Sequence, residues 1–508
     1  MVTAAHPLAV QAGYDVLARG GSAVDAAVAV QAVLGLVEPE SSGIGGGAFL
    51  LHWSQSEQRL RSYDGRETAP AVARRDRFLD PQGKPLAFHE AVVGGRSVGV
   101  PGVLRMLELA HRRHGRLPWA ELFRPAIDLA EKGFPLSPRL YALLQAEREL
   151  RDDPAARAVY YGKAVGERIV NPDYATTLRA VAASGAKGFY EGEIAADVAR
   201  AVRTNRKAGD LTAADIAAYQ PREREPLCGV YRVWRICSMG PPSSGGVGVL
   251  QILGILERTR FAEAPPQSAQ ALHYFSEAGR LAYADRARYL GDPAFVAVPV
   301  ARLLAPAYLA QRARLIGERS MRRAMPGDME SGTSHFSIVE RNGDAVAMTT
   351  TIESGFGSRI MVHGFLLNNE LTDFDFIPGG ANEVAGGKRP RSSMAPTMVF
   401  NAQGRLVLII GSPGGSQIIN YVAKVLVGML DWKFDIQQAI DLPNFGSRNG
   451  PTEIERGSTY EALISPLARR GHEVRVIEME SGLHGIERVP GGWRGGADSR
   501  REGIAKGR

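Results

Sequence analysis

Cysteine is nearly absent. Cys228 and Cys237 are the only two in 508 residues, too few for a disulfide framework or a thiolate metal cluster. Both fall in "CGVYRVWRIC". As a single strand, nine residues at ~3.3 Å would hold them roughly 30 Å apart, beyond bridging reach, so they read as free thiols. The chain also lacks any run of about 18 apolar residues, and no membrane span is expected. HExxH, CxxC and a Walker loop ending in GK[ST] are missing too, which removes the usual routes to a metal centre or bound nucleotide. No cofactor and no metal are expected. Charge of one sign is scarce: 61 basic against 54 acidic residues leave +7, spread along the chain. The densest basic run, "QRARLIGERSMRRAM" at 311–325, has no interleaved aromatics to stack bases. It reads as a solvated linker face, and no nucleic-acid partner is expected. The opening "MVTAAHPLAVQAGYDVLARGG" has no leader pattern, so the chain as written is expected to be cytoplasmic. Its abrupt entry into folded pattern also fits a start that omits a signal peptide, with a periplasmic or secreted protein as the expectation.

What is present is the composition of a soluble enzyme: 44% hydrophobic, 23% charged, 58 Gly and 30 Pro. The length is about three times a typical domain. "SAVDAAVAVQAVLGLV" at 22–37 reads as a core helix, apolar nearly all round, with Ser22 and Asp25 spaced as a capping pair. In "PGVLRMLELAHRRHG", Val103, Met106, Leu107 and Ala110 share one helical face. "YRVWRICSMGPPSSGG" reads as a strand entering a turn, and "VGVLQILGILERTR" and 268–289 as helices. From Ser334 onward strands dominate. "HFSIVE" and "AVAMTTTI" form a hairpin about Asn342-Gly343, which supplies the positive φ of a tight turn. "GFLLNN", "APTMVF" and "RLVLIIGS" are further strands, and "SQIINYVAKVLVGML" is a helix. Strands and helices mixed without βαβ alternation predict layered sheets covered by helices.

Four stretches carry possible chemistry. Glycine-rich "SSGIGGGAFLL" at 41–51 runs into a strand pattern where a dinucleotide fold places a helix, so close backbone packing is its expected purpose. "GRSVG" at 95–99 fits GxSxG with Ser97 at its centre. A nucleophile elbow needs the helix to start at the serine, whereas Val100-Pro101-Gly102 intervenes. The third stretch, 330–359, devotes nine of thirty positions to Ser and Thr. A threonine hydroxyl becomes a competent nucleophile when it heads a chain and its own α-amine serves as base. Cleavage between Gly332 and Thr333 would achieve this, because glycine tolerates the strained backbone that self-cleavage demands. Thr333 as an ordinary loop residue is the competing reading, and the residues alone favour it. The fourth stretch, "LVLIIGSPGGSQIINY", is a strand, a glycine turn and a helix. There Gly414 and Gly415 could present unpaired N–H groups to an oxyanion, or simply make a turn.

Together and in order, "GGSAVDAAVA", "YDGRETAP", "PPSSGG", "YADRARYLGDP", "TSHFSIV", "LLNNELTDF", "KRPRSSMAPT", "GSPGG" and "GGADSRREG" resemble the γ-glutamyltranspeptidases, which are N-terminal-nucleophile hydrolases. The resemblance implies an α+β fold, a four-layer αββα sandwich. It further implies self-cleavage between Gly332 and Thr333 into a heterodimer of 1–332 and 333–508. Thr333 is then the nucleophile, Thr351 hydrogen-bonds its new amine, and Gly414 and Gly415 form the oxyanion hole. The implied partners are a γ-glutamyl amide such as glutathione, and water or an amino-acid or peptide amine as acceptor. Arg66 would clamp the substrate's carboxylate, assisted by Ser392 and Ser393, and Glu370 and Asp373 would receive its ammonium. Two departures stand out. Glu353 occupies a position where well-known members carry asparagine, and 374–388 is short, which implies an open site. The alternatives are a glutaryl or cephalosporin acylase of the same fold and, further off, a serine hydrolase using Ser97 or a non-catalytic relative.

Overall fold

Residues 333–353 are almost wholly buried although a third of the side chains between 333 and 351 are hydroxylic, a composition that fits a central strand pair covered on both faces. In the computed structural model, which describes residues 1–321 and 332–507, they are the hairpin Gly332–Val339 and Ala345–Glu353. Gly343 turns it at φ 94°, and Asn342 brackets the turn by bonding both the backbone and the side chain of Asp344 at 3.0 Å. This hairpin is the middle of a seven-stranded antiparallel sheet. Val2–Ala4 and then Ile504–Lys506 flank it on one side, and Gly47–Ser54, Arg59–Gly65 and Arg222–Arg224 on the other.

A second, six-stranded sheet runs in the spatial order Gly492–Ala497, His484–Val489, Leu406–Gly411, Thr397–Phe400, Trp234–Ser238 and Leu227–Tyr231. Its inner face meets the first sheet through Leu51, Trp53, Ala347, Met398, Phe400 and Ile409, all buried in one cluster. The outer face of the first sheet packs against the helices Pro7–Ala18, Ala23–Val37 and Val103–His114. The outer face of the second packs against Gly245–Leu256, Ala269–Tyr289 and Ile418–Leu430. The helix Ala23–Val37 is buried along its whole length, and its N-terminus closes in the expected box. Ser22 Oγ accepts from Asp25 N at 3.0 Å, and Asp25 Oδ2 accepts from Ser22 N at 2.8 Å, which satisfies donors the helix itself leaves unpaired. Among the described residues no helix is long and apolar enough to cross a membrane.

Both sheets combine strands from before and after residue 332. Thr351 pairs with Gly47 and Thr333, while Thr397 pairs with Ser238. Two expectations change. "CGVYRVWRIC" is a hairpin and not one strand: Leu227–Tyr231 turns back at Arg232, φ 56°, into Trp234–Ser238. Cys228 therefore sits opposite Cys237 at a Cα separation of 4.1 Å, and the two form a disulfide. The basic run 311–325 begins inside the helix Pro306–Ala313, and its residues 322–325 lie outside the described residues, as do Glu330 and Ser331.

Candidate active site

The register of the central hairpin sets the chemistry. Thr333 and Thr351 are direct cross-strand partners, so their side chains emerge on one face and their Oγ1 atoms stand 3.3 Å apart, both buried. Just beyond, the ladder slips by one residue between Thr351 and Glu353, a bulge of the kind that redirects a side chain. Glu353 takes a positive φ of 76°, and its N–H donates to Thr351 Oγ1 at 2.8 Å. The Thr333 carbonyl is held from behind by Arg501 Nη1 at 2.9 Å.

The glycine turn faces this pair from the second sheet. Strand Leu406–Gly411 ends, Gly414 and Gly415 adopt φ of 124° and 53°, and a short 3-10 turn leads into the helix Ile418–Leu430. Both values lie where L side chains are strained, and a Cβ on Gly414 would also meet the Tyr421 ring at 2.5 Å. Among the described residues neither glycine N–H has a hydrogen-bond acceptor. Tyr283 OH fixes the turn by donating to the Ser416 carbonyl.

The opposite wall is ionic. Arg66, at the end of strand Arg59–Gly65, is 1% exposed. It donates through Nη1 to Glu370, through Nη2 to Asp373 at 2.5 Å, and to the carbonyls of Pro390 and Arg391 at 3.1 Å. Glu370 and Asp373 are presented by one 3-10 turn. Burial pushes the Glu370 carboxyl up to about 7, with Arg66 opposing and Asp373 adding to the rise. Burial and then Asp373 and Glu370 hold Glu353 well above the usual carboxylate range. Glu67, beside Arg66, is raised by burial and by Glu370. Four carboxyls thus surround one guanidinium, and among the described residues oxygens of Glu67, Glu353 and Glu370 have no hydrogen-bond partner, the situation that drives buried acids towards their neutral form. Glu353, Glu370 and Asp373 bring one oxygen each within 4.8 Å of one another, as do the ligand atoms of His273, Glu277 and His472. Either group has spacing that could hold a cation. In the first the Arg66 guanidinium already supplies positive charge. In the second the ring nitrogens bond to each other, to Gly317 O and to Thr452 Oγ1.

Ser392 and Ser393 complete the wall, because "PPSSGG" grips "KRPRSSMAPT". Ser244 N donates to Ser392 O at 2.8 Å and Ser243 Oγ to Met394 O at 2.6 Å. Gly245 permits the approach, since a Cβ there would lie 2.6 Å from Ser393 O. Arg66, Thr333, Thr351, Glu353, Asp373, Ser392, Ser393 and Gly415 line one cleft. Glu370 stands behind Arg66, and Gly414 is the neighbour of Gly415. Ser97 is not in the cleft. It is buried, and its hydroxyl is shared between the carbonyls of Val92 at 2.6 Å and Gly94 at 2.9 Å, which makes it a loop pin. The sequence reading assigned no role to Arg286, Ser416, Met394 and Ile418, which also line the cleft. Arg286 lies within the quoted "YADRARYLGDP", but a lone arginine in a helix carries no signal of its own.

The model of the family Gamma-glutamyltranspeptidase matches residues 9–508. The glutathione hydrolase proenzyme of Bacillus subtilis (strain 168) is 37% identical over 100% of this chain and 91% of its own length. Among solved structures, the cephalosporin acylase of Bacillus halodurans matches with a TM-score of 0.88 at 28% identity, covering 100% of this chain and 96% of that one. The γ-glutamyltranspeptidase of Helicobacter pylori matches with a TM-score of 0.59 at 36% identity, over 61% of this chain and 90% of that one. The chain belongs to the γ-glutamyltranspeptidase family.

Proposed function

We propose that this protein is a self-cleaving γ-glutamyl hydrolase and transferase that acts on glutathione and other γ-glutamyl amides, built as a four-layer αββα sandwich. The observation that carries the reading is the Thr333–Thr351 pair, 3.3 Å apart, in a cleft whose far wall offers a cation, several carboxyls and two serine hydroxyls. A γ-glutamyl group needs such a wall, since it bears an α-carboxylate and an α-ammonium at one end and the scissile amide at the other.

Cleavage of the Gly332–Thr333 bond frees the α-amine of Thr333 as base. Thr333 Oγ1 attacks the γ-carbonyl carbon, and its proton passes to that amine. The developing oxyanion is received by the N–H groups of Gly414 and Gly415, preorganised by their backbone and unpaired among the described residues. Collapse expels the amine of the leaving group, which takes the proton, and leaves a γ-glutamyl ester on Thr333. Water or an acceptor amine then attacks the ester by the same path in reverse. Thr351 Oγ1 accepts from Glu353 N and stands 3.3 Å from Thr333 Oγ1, where it orients the nucleophile. The substrate ammonium sits among Glu353, Glu370 and Asp373, which offsets their mutual repulsion, and its carboxylate faces Arg66, Ser392 and Ser393. The fragments 1–332 and 333–508 remain together as a heterodimer because each supplies strands to both sheets.

The test compares γ-glutamyl and glutaryl p-nitroanilides, which differ by the α-amino group. The γ-glutamyl compound is expected to have the higher kcat/KM. A preference for the glutaryl compound would favour the acylase reading, which the likeness to the cephalosporin acylase motivates.

A further inference from the structure

The two halves of the disulfide stand in unequal surroundings. Cys228 is exposed and lies on Leu227–Tyr231, the edge strand of the six-stranded sheet, with no further strand beyond it among the described residues. Its cross-strand partner Cys237 is 0% exposed, in one buried cluster with Leu51, Trp53, Met398 and Phe400. A thiolate opens a disulfide by attacking one sulfur and expelling the other. From solvent, therefore, the reachable target is Cys228 and the buried leaving group is Cys237. Arg235, two residues before Cys237 and so on the same face of the strand, is exposed and rests over the Phe400 ring at 4.5 Å. Its charge favours the approach of a thiolate.

The strand that carries Cys237 runs directly into the segment that shapes the cleft. Ser238, the next residue, donates through Oγ to Pro396 O at 2.9 Å. Further along, Ser243 Oγ holds Met394 O at 2.6 Å and Ser244 N holds Ser392 O at 2.8 Å. One short run, 237–244, thus has the buried half of the disulfide at one end and the grip on the serine wall at the other. Neither cysteine has a part in the acyl-transfer steps above.

We propose that the Cys228–Cys237 disulfide is a thiol-exchange site, entered at Cys228 by a small thiol of the cysteinylglycine type, and that its opening slackens the serine wall and weakens donor binding. This rests on the γ-glutamyl reading above, because hydrolysis of glutathione releases cysteinylglycine and because the serine wall receives the donor. In the exchange, the small thiolate attacks Cys228 Sγ and a new S–S bond forms there. The Cys228–Cys237 bond breaks, and its electron pair leaves on Cys237 Sγ, which takes a proton from water. A second small thiolate attacks the mixed disulfide at the small-molecule sulfur and expels Cys228 as thiolate. The protein pair is then reduced by two electrons, and two small thiols have become one small disulfide.

The experiment has two arms on the full, oxidised enzyme. In the first, native protein is incubated with cysteinylglycine, quenched in acid at successive times, and its intact and peptide masses are read. One cysteinylglycine on Cys228, followed by two free thiols, is the expected course. A disulfide that survives native incubation, or an adduct on Cys237 alone, overturns the proposal. In the second arm, tris(2-carboxyethyl)phosphine opens the bond, since it is neither donor nor acceptor in the cleft. KM for γ-glutamyl p-nitroanilide is expected to rise about 5-fold or more with kcat little changed. Cys228→Ser should show the raised KM without phosphine and should not respond to it. An unchanged KM in reduced wild type, or equal effects on KM and kcat, overturns the coupling to the cleft. If the variant does not fold, the phosphine arm on wild type decides alone. A wild-type enzyme that ignores the anilide in both redox states sinks the γ-glutamyl reading, whereas the mass readout does not depend on that reading.

Discussion

Glu370 is the acid whose protonation reports most directly on the cleft. Its folded value of about 7 lies above its ordinary 4.5, so between those limits the folded state holds a proton that the unfolded chain has released. The stability this group contributes is therefore complete below about 4.5 and is lost as pH rises through about 7. Thermal unfolding of wild type should show a fall in Tm over that window that Glu370→Gln lacks. An ammonium ligand favours the ionised form, so KM for a γ-glutamyl donor should fall as pH rises towards 7, and the Gln variant should lose that inflection. At the same scale, removing the Thr351 hydroxyl in Thr351→Val deprives Thr333 of its neighbour and Glu353 N of its acceptor. We expect kcat to drop on the order of 10²-fold with KM changed little, measured on fully processed enzyme. These residues were legible because each sits in a motif that the family resemblance labels. Glu67 and Arg286 were not, since their burial at the cleft wall is a property of the assembled structure and leaves no mark on local sequence.

Turns and caps decide how the elements deliver those residues. Asn342-Gly343 announced the central hairpin, and from it the pairing of Thr333 with Thr351 followed by counting. The hairpin of Cys228 and Cys237 was missed for the complementary reason: its positive φ falls on Arg232, a residue that no turn rule favours. The sheets were hard to read for a further reason. Strands such as Gly47–Ser54 and Ala345–Glu353 are buried on both faces, so the alternation that marks a half-exposed strand is missing. Two substitutions probe this scale. Gly245→Ala places a methyl 2.5 Å from Met394 O and 2.6 Å from Ser393 O, which must push the serine wall away. It should raise KM for γ-glutamyl donors and lower stability by about 1–3 kcal/mol. Ser22→Ala removes a capping partner of the buried helix and should cost about 1 kcal/mol in denaturant titration with activity intact.

Across the whole molecule, the two sequence halves interleave. The strands around Thr333 and Thr351 lie between Val2–Ala4 and Gly47–Ser54, and Thr397–Phe400 lies beside Trp234–Ser238. Separating 1–332 from 333–508 would expose the shared core, so the cleaved parts should elute as one species in size-exclusion chromatography and part only in denaturant. Which strands neighbour one another was not legible from pattern alone, which predicts layers and not their order. On the proposed function, activity at this scale depends on one bond, Gly332–Thr333. N-terminal sequencing and intact mass of the purified, aged protein test it most directly. The account predicts two polypeptides, one beginning at Thr333, and a single uncleaved, inactive chain for Thr333→Ala. An uncleaved wild-type chain that hydrolyses γ-glutamyl anilide at full rate would contradict it.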